Sequence, residues 1–268
     1  MYTFLDKGGR SITLRPEGTA GVMRAFVENK MYALPDTPIK LYYDGPVFRY
    51  ERPGAGRYRQ ITQFGFECLG VHSPLIDAEL ILMNTSMLYM LGIKDFVVKI
   101  NTIGDTQSRE NYKVELRKYF ENNLDELCED CKRRFEQNPL RILDCKVDGE
   151  KELVLNAPII TDYLTEESRE YFNKLLSYLD KFGVPYEVDN RLVRGLDYYN
   201  HTVFEVVVNN SYALGGGGRY NGLVETLDGP STPAIGFAMG LDRTILAMEA
   251  LGINFNIKND IDIFIMYG

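Results

Sequence analysis

Arg49, Arg52, Arg57 and Arg59 fall within eleven residues of chain, and planar guanidinium forks at that density suit the non-bridging oxygens of a polyphosphate. A solvated basic loop has the same composition, so the arginines alone leave both readings open. The next ten residues favour a site. Ile61, Gln63, Gly65 and Glu67 occupy alternate positions of residues 59–69, the spacing with which a strand turns polar groups to one face. Near the end, Gly236-Phe237-Ala238-Met239-Gly240-Leu241-Asp242-Arg243 places a strand of small residues before a helix with an arginine in its first turn. A cation there opposes the helix dipole, which makes an anionic ligand a fitting partner for Arg243. Cys128-x-x-Cys131 and Cys145 form a third group, and the only histidines, His72 and His201, lie far from them in sequence. Structural zinc would need a fourth ligand, so free or buried thiols are the favoured reading and zinc the alternative.

Positioning these groups requires a sheet. Residues 1–14 alternate around Gly8-Gly9 and predict a hairpin. A helix comes next, with Thr19 near its N-cap and Val22, Met23, Phe26 and Val27 on one face. Residues 39–43 read as a strand and 46–50 as the start of another, which pairs with 59–69 across the loop 51–58. Residues 77–91 have helical spacing ending at Gly92, and 96–103 are strand-like. From 106 to about 182 the character changes to charged residues at helical spacing, with Tyr112, Leu116, Tyr119, Phe120 and Leu124 as an apolar stripe. Strands return at 186–193 and 202–208, then a turn at Gly215-Gly216-Gly217-Gly218, then a helix over 241–251. The expected organisation is a core over 1–105 and 186–252, a mostly helical insert over 106–185, and a tail over 253–268. In that tail 253–260 reads as a linker and 261–267 as an apolar strand with nothing to pair with, which predicts a chain cut short.

The 268 residues, 45% hydrophobic, can bury a sizeable core. A net charge of −8 argues against coating nucleic acid by charge alone, although a local arginine cluster can grip phosphates inside an acidic whole. No run of about 18 apolar residues could cross a bilayer. The first residues have no basic or apolar signal region, so the expected compartment is cytoplasmic. Four cysteines suit a reducing one.

The two arginine-bearing segments, residues 48–67 and 236–243, resemble motifs 2 and 3 of the class II aminoacyl-tRNA synthetases. Arg194-Gly195-Leu196-Asp197-Tyr198-Tyr199 resembles the histidine signature of the histidyl-tRNA synthetase family, and Leu14-Arg15-Pro16-Glu17-Gly18-Thr19 and Gly217-Gly218-Arg219-Tyr220 match the same family. The resemblance implies an α+β fold, an antiparallel sheet flanked by helices with an inserted mostly helical domain. It implies activation of histidine by ATP with Mg2+, then transfer to tRNA(His). By position, Arg49 and Arg194 would contact the α-phosphate and Arg243 the γ-phosphate, with Arg57 and Ile61 also on the nucleotide. Glu17, Thr19 and Gln63 would read the α-amino group of L-histidine, and Glu67 and Tyr199 the imidazole, with Tyr220 lining the pocket. Gln63 is also a candidate helper of the attacking tRNA hydroxyl.

Plainer readings stand beside these. Arg194 could pair with Asp197, and Tyr199 and Tyr220 could be core tyrosines with satisfied hydroxyls. The insert resembles the family's insertion domain, whose Lys and Arg approach the tRNA acceptor arm, although a solvated helical face has the same look. Motif 1, which builds the family's homodimer, would precede Met1, and the anticodon-binding domain would begin at 261–268. A non-catalytic histidine-binding paralogue, which regulates ATP phosphoribosyltransferase, is the alternative function; such proteins tend to lose the arginines retained here at 49, 194 and 243.

Overall fold

A computed structural model describes residues 1–50, 54, 57–195, 198–208, 212–255 and 266. The first elements are a small hairpin, β1 (Thr3–Leu5) and β2 (Ser11–Thr13), and a helix, α1 (Thr19–Glu28). They lead into β3 (Ile39–Phe48), which pairs antiparallel with β4 (Gln60–Leu69) over its whole length. Residues 39–48 form one strand where two were expected, over 39–43 and from 46. An edge strand tolerates proline because one row of its amides need not join the ladder, and β3 is the edge of the sheet.

Then come α2 (Pro74–Met90) and β5 (Phe96–Thr102). A run of helices is next: α3 (Thr106–Phe120), α4 (Glu129–Gln137), the short α5 (Glu152–Leu155) and α6 (Glu166–Phe182). The chain returns through β6 (Tyr186–Val188), β7 (Asn200–Val208), β8 (Tyr212–Arg219), β9 (Ala234–Gly240) and α7 (Leu241–Ala250). The seven-stranded sheet has the order β3-β4-β9-β8-β7-β5-β6, with every pair antiparallel except β5–β6. The fold is α+β.

The structure corrects two further expectations from the sequence. Residues 186–193 are a strand only as far as Val188, because Asp189 starts a turn in which its carbonyl accepts from Leu192 N at 2.9 Å. Gly215 to Gly218 lie inside β8 instead of making a turn. A Cβ at Gly217 would meet Gly236 O at 1.9 Å, and one at Gly215 would meet Ala238 O at 2.4 Å. The glycines are therefore required by close approach to β9 within the sheet. Of the linker expected over 253–260 and the strand expected over 261–267, residues 256–265 and 267 lie outside the described residues.

The two faces of the sheet have separate cores. One face buries Phe204, Val206, Ile235 and Phe237 against Leu80, Ile81 and Leu88 of α2 and Phe172, Leu175 and Leu179 of α6. The other collects Met23 and Phe26 of α1 with Tyr199, Val203 and Tyr220, and continues into the helical run through Tyr112, Leu116 and Phe120. Each such fully buried side chain contributes about 1.5–3 kcal/mol of transfer free energy, so α6, although helical in pattern like its neighbours, is held on the sheet by its partnership with α2.

Candidate functional site

Alternation along β4 sends Phe64 and Phe66 toward the α2 core and leaves Ile61, Gln63, Gly65 and Glu67 on the opposite face. On that face β4, β8 and β9 form the floor of a cavity of about 220 Å³. Arg49, Arg57, Arg194 and Arg243 line it together with Glu17, Thr19, Ile61, Gln63, Tyr199 and Tyr220. Residues as far apart in sequence as Glu17 and Arg243 thus converge on one space. Small residues make the room. Gly216 carries no Cβ that would press within 3.0 Å of the Arg194 guanidinium, and Gly240 lies opposite Gln63 in the ladder.

Glu67 alone among the expected site residues lies behind the wall. It is fully buried, and its two oxygens accept from Thr19 Oγ1 at 2.7 Å and from the Tyr220 hydroxyl. Burial pushes its carboxyl up to about 8, against the pull of those two hydrogen bonds. Room for it exists because residue 236 is glycine: a Cβ there would come within 1.7 Å of Glu67 Oε2. Thr19 is the first residue of α1, with Gly18 as its N-cap, so its hydroxyl serves Glu67 instead of the helix end. Tyr220 is at once a core tyrosine with a satisfied hydroxyl and part of the cavity lining.

Four polar atoms around the cavity are buried without a hydrogen bond: Glu17 Oε2, the Tyr43 hydroxyl, Gln63 Oε1 and Arg194 Nε. Buried polar groups of this kind are costly unless a ligand or water completes them. Glu17 Oε1 is occupied, accepting from Ala20 N at 3.0 Å. Arg49 donates from Nε to Pro16 O at 2.9 Å, and Arg243 donates from a terminal nitrogen to Ala213 O at 3.0 Å.

Arg194 pairs with Glu205 of β7 and stacks its guanidinium 5.9 Å from the centre of the Tyr199 ring. Burial works against its charge, but Tyr199 and Glu205 outweigh this and hold its pKa above the usual arginine value. Asp197, the partner expected from sequence, lies outside the described residues. Sequence reasoning missed Glu205, although a single carboxylate in the apolar run Val203-Phe204-Glu205-Val206-Val207 was a readable signal. It also missed Tyr43, which lines the cavity opposite Gly65 on the neighbouring strand. A Cβ on Gly65 or on Gly18 would fall 2.1 Å from the Tyr43 ring, so those two glycines seat it.

The loop after Arg194 is held from the helical run. Arg141 donates to Gly195 O at 3.0 Å and Arg109 to Tyr199 O at 2.8 Å. Arg109, Lys113, Arg133, Arg134 and Arg141 line a second cavity that meets the first at Arg194 and Tyr199. Elsewhere in this region Cys128, Cys131 and Cys145 come together. A fourth group that the spacing did not reveal, Asp148, joins them.

Comparison with known proteins accords with this geometry. Residues 1–244 match the family model described as Histidyl-tRNA synthetase. The chain is 54% identical over 271 residues to the histidine–tRNA ligase of Anoxybacillus flavithermus, covering 99% of this chain and 64% of that protein. It is 52% identical over 272 residues to that of Staphylococcus haemolyticus, with the same two coverages. The chain thus spans 64% of the length of these curated relatives. Among solved structures, apo S. aureus histidyl-tRNA synthetase superimposes with a TM-score of 0.80 at 47% identity, over 98% of this chain and 64% of that one. A Bacillus halodurans protein titled ATP phosphoribosyltransferase regulatory subunit/histidyl-tRNA synthetase gives a TM-score of 0.66 at 23% identity, over 92% of this chain and 67% of that one, a likeness of fold alone.

Proposed function

The chain belongs to the histidyl-tRNA synthetase family, and from that premise we propose that its cavity activates L-histidine with ATP and passes it to the 3′ end of tRNA(His), within a homodimeric, cytoplasmic whole. The observation that carries the reading is the pattern of unmet bonding around one space. Glu17 Oε2 and Gln63 Oε1 are acceptors without donors, and Arg194 Nε is a donor without an acceptor. An amino acid supplies the converse, an ammonium of three donors and a carboxylate.

In this reading Glu17, Gln63 and Thr19 hold the α-ammonium, and Tyr199 meets the imidazole. Glu67 acts from behind, fixing the hydroxyls of Thr19 and Tyr220, which is a different post from direct contact with the imidazole. One histidine carboxylate oxygen attacks the α-phosphorus as the bond to the bridging oxygen of pyrophosphate breaks. Arg49 and Arg194 neutralise the charge that gathers on the α-phosphate oxygens, and Arg243 and Arg57 take the β and γ end. Ile61 gives the adenine an apolar surface. Glu205 and Asp242, hard oxygen donors on the cavity wall, suit Mg2+, which when bound would neutralise polyphosphate charge. The ribose hydroxyl of the terminal adenosine then attacks the acyl carbon, its proton passing to a phosphate oxygen of the adenylate as the acyl–phosphate bond breaks and AMP leaves, with Gln63 beside the attacking oxygen.

Residues 1–105 and 186–252 form the catalytic region in this proposal and 106–185 the insert, whose arginine-lined cavity beside Arg194 offers a path for the phosphates of the acceptor end. The test is histidine-dependent ATP–pyrophosphate exchange by this chain. Exchange should require histidine and fall by about 10²–10³ in Arg194→Ala, the usual loss for one charge-stabilising donor. Histidine binding without exchange would overturn the reading and favour the non-catalytic regulatory paralogue.

A further inference from the structure

The four groups gathered between α4 and the loop after it make a constellation that the proposed aminoacylation leaves unused. The sulfurs of Cys128, Cys131 and Cys145 and a carboxylate oxygen of Asp148 all lie within 4.8 Å of one another. Cys131 and Asp148 are fully buried and Cys145 nearly so. The Cys128 and Cys145 sulfurs are 3.8 Å apart, far beyond a disulfide bond. That spacing is the edge of a tetrahedron: ligands about 2.3 Å from a central zinc stand roughly 3.8 Å from each other.

The backbone is arranged to support anionic sulfur. Cys128 is the N-cap of α4 and Cys131 lies in its first turn, so both belong to the amide end of that helix. Val147 N and Asp148 N both donate to Cys145 Sγ at 3.4 Å. The turn closes with Gly149 N donating to Cys145 O at 2.7 Å, and a Cβ at Gly149 would strike that carbonyl at 2.4 Å. Asp148 Oδ2 accepts from Cys128 N at 2.8 Å, and Lys151 Nζ stands 2.8 Å from Oδ1. Lys151 offsets the charge of Asp148, but three thiolates in so small a volume repel one another unless a further cation joins them, because buried charge needs a partner.

We propose that Cys128, Cys131, Cys145 and Asp148 bind a structural divalent metal of the zinc class in a closed tetrahedral site. Soft thiolates select zinc over magnesium or calcium, and the full set of four protein ligands leaves no position for a reacting water. The ion ties the start of α4 to the segment 145–148. Between these two anchors lie Arg133, Arg134 and Arg141. Arg141 holds Gly195 O next to Arg194, and Arg134 in turn donates to Arg141 O at 2.9 Å. The metal is thus a clip that sets the basic wall of the second cavity, in a helical segment with no disulfide to do so.

The test uses the intact reduced chain. Elemental analysis of protein purified without chelator should find one zinc per chain. Co2+ added to the metal-free chain should give the intense visible bands of tetrahedral cobalt and near-ultraviolet thiolate charge transfer. Cys145→Ser should remove the charge-transfer intensity in part. Asp148→Asn, which keeps all three sulfurs, should weaken Co2+ binding by at least about tenfold, the lower end of the loss from even an outer-shell partner. The proposal is overturned if the reduced wild-type chain, folded by circular dichroism, takes up neither zinc nor Co2+, or if Co2+ spectra are unchanged in Asp148→Asn and Cys145→Ser. A Cys128–Cys145 disulfide that persists in the presence of excess reductant would also overturn it.

Discussion

Replacing Arg219 with methionine should cost this chain more stability than the loss of any surface arginine, and the structure sets the magnitude. Arg219 is fully buried, as is Asp77, whose Oδ1 lies 2.7 Å away. The guanidinium also donates to Tyr171 OH at 2.7 Å and to the carbonyls of Val71 and Ser73 at 3.1 and 3.2 Å. The other oxygen of Asp77 accepts from Thr202 Oγ1 at 2.6 Å. One ion pair therefore joins α2, α6, β7 and β8. Arg219→Met fills much of the space but leaves the Asp77 carboxylate buried and uncompensated, which costs about 3–5 kcal/mol. With an unfolding entropy of about 2.1 cal/mol/K per residue, a chain of 268 residues should melt about 5–9 °C lower. Circular dichroism melts read this directly, and the shift should persist in high salt because a buried pair is hardly screened. The double variant Asp77→Leu/Arg219→Met should recover at least half of the loss, since it removes both charges together. A shift below about 2 °C for Arg219→Met, or single losses that simply add in the double variant, would refute the argument.

Two carboxylates give further outcomes. Glu67 titrates near 4.5 when unfolded and is held up to about 8 by burial when folded, so the folded chain binds the extra proton between those values. The stability it contributes is complete below about 4.5 and is lost as pH rises through about 8, with a slope of at most about 1.4 kcal/mol per pH unit; denaturant titrations at several pH values should show that slope vanish in Glu67→Gln, and an unchanged slope would count against it. Asp105 caps α3 by accepting from Ser108 N at 2.7 Å and takes hydrogen bonds from Thr165 and Ser168 at the start of α6. Burial opposes its ionisation, but these donors hold its carboxyl down at about 2. Asp105→Ala should cost about 1–2 kcal/mol at neutral pH, a difference that stays full above about 3.8 and fades as pH falls through about 2; a gap independent of acid would remove the hydrogen-bonded carboxylate as its cause.

Much of this protein was legible in its residue order. Alternation placed Gln63 and Glu67 on one face of a strand, helical spacing marked α2 to within a few residues, and the clustered arginines suited a polyphosphate. Those are local properties, set by side-chain period and by the few chemistries that a residue type can perform. Tertiary structure decided what depends on neighbours brought from afar. It turned the four glycines at 215–218 from a turn into a strand, because only β9 could reveal how closely another backbone passes. It moved Glu67 behind the cavity wall, paired Arg194 with Glu205 across β7, and completed the three cysteines with Asp148. Periodicity reports which face of an element is buried; it carries no information about which buried groups meet, and at a site built by long-range convergence that meeting is what determines the chemistry.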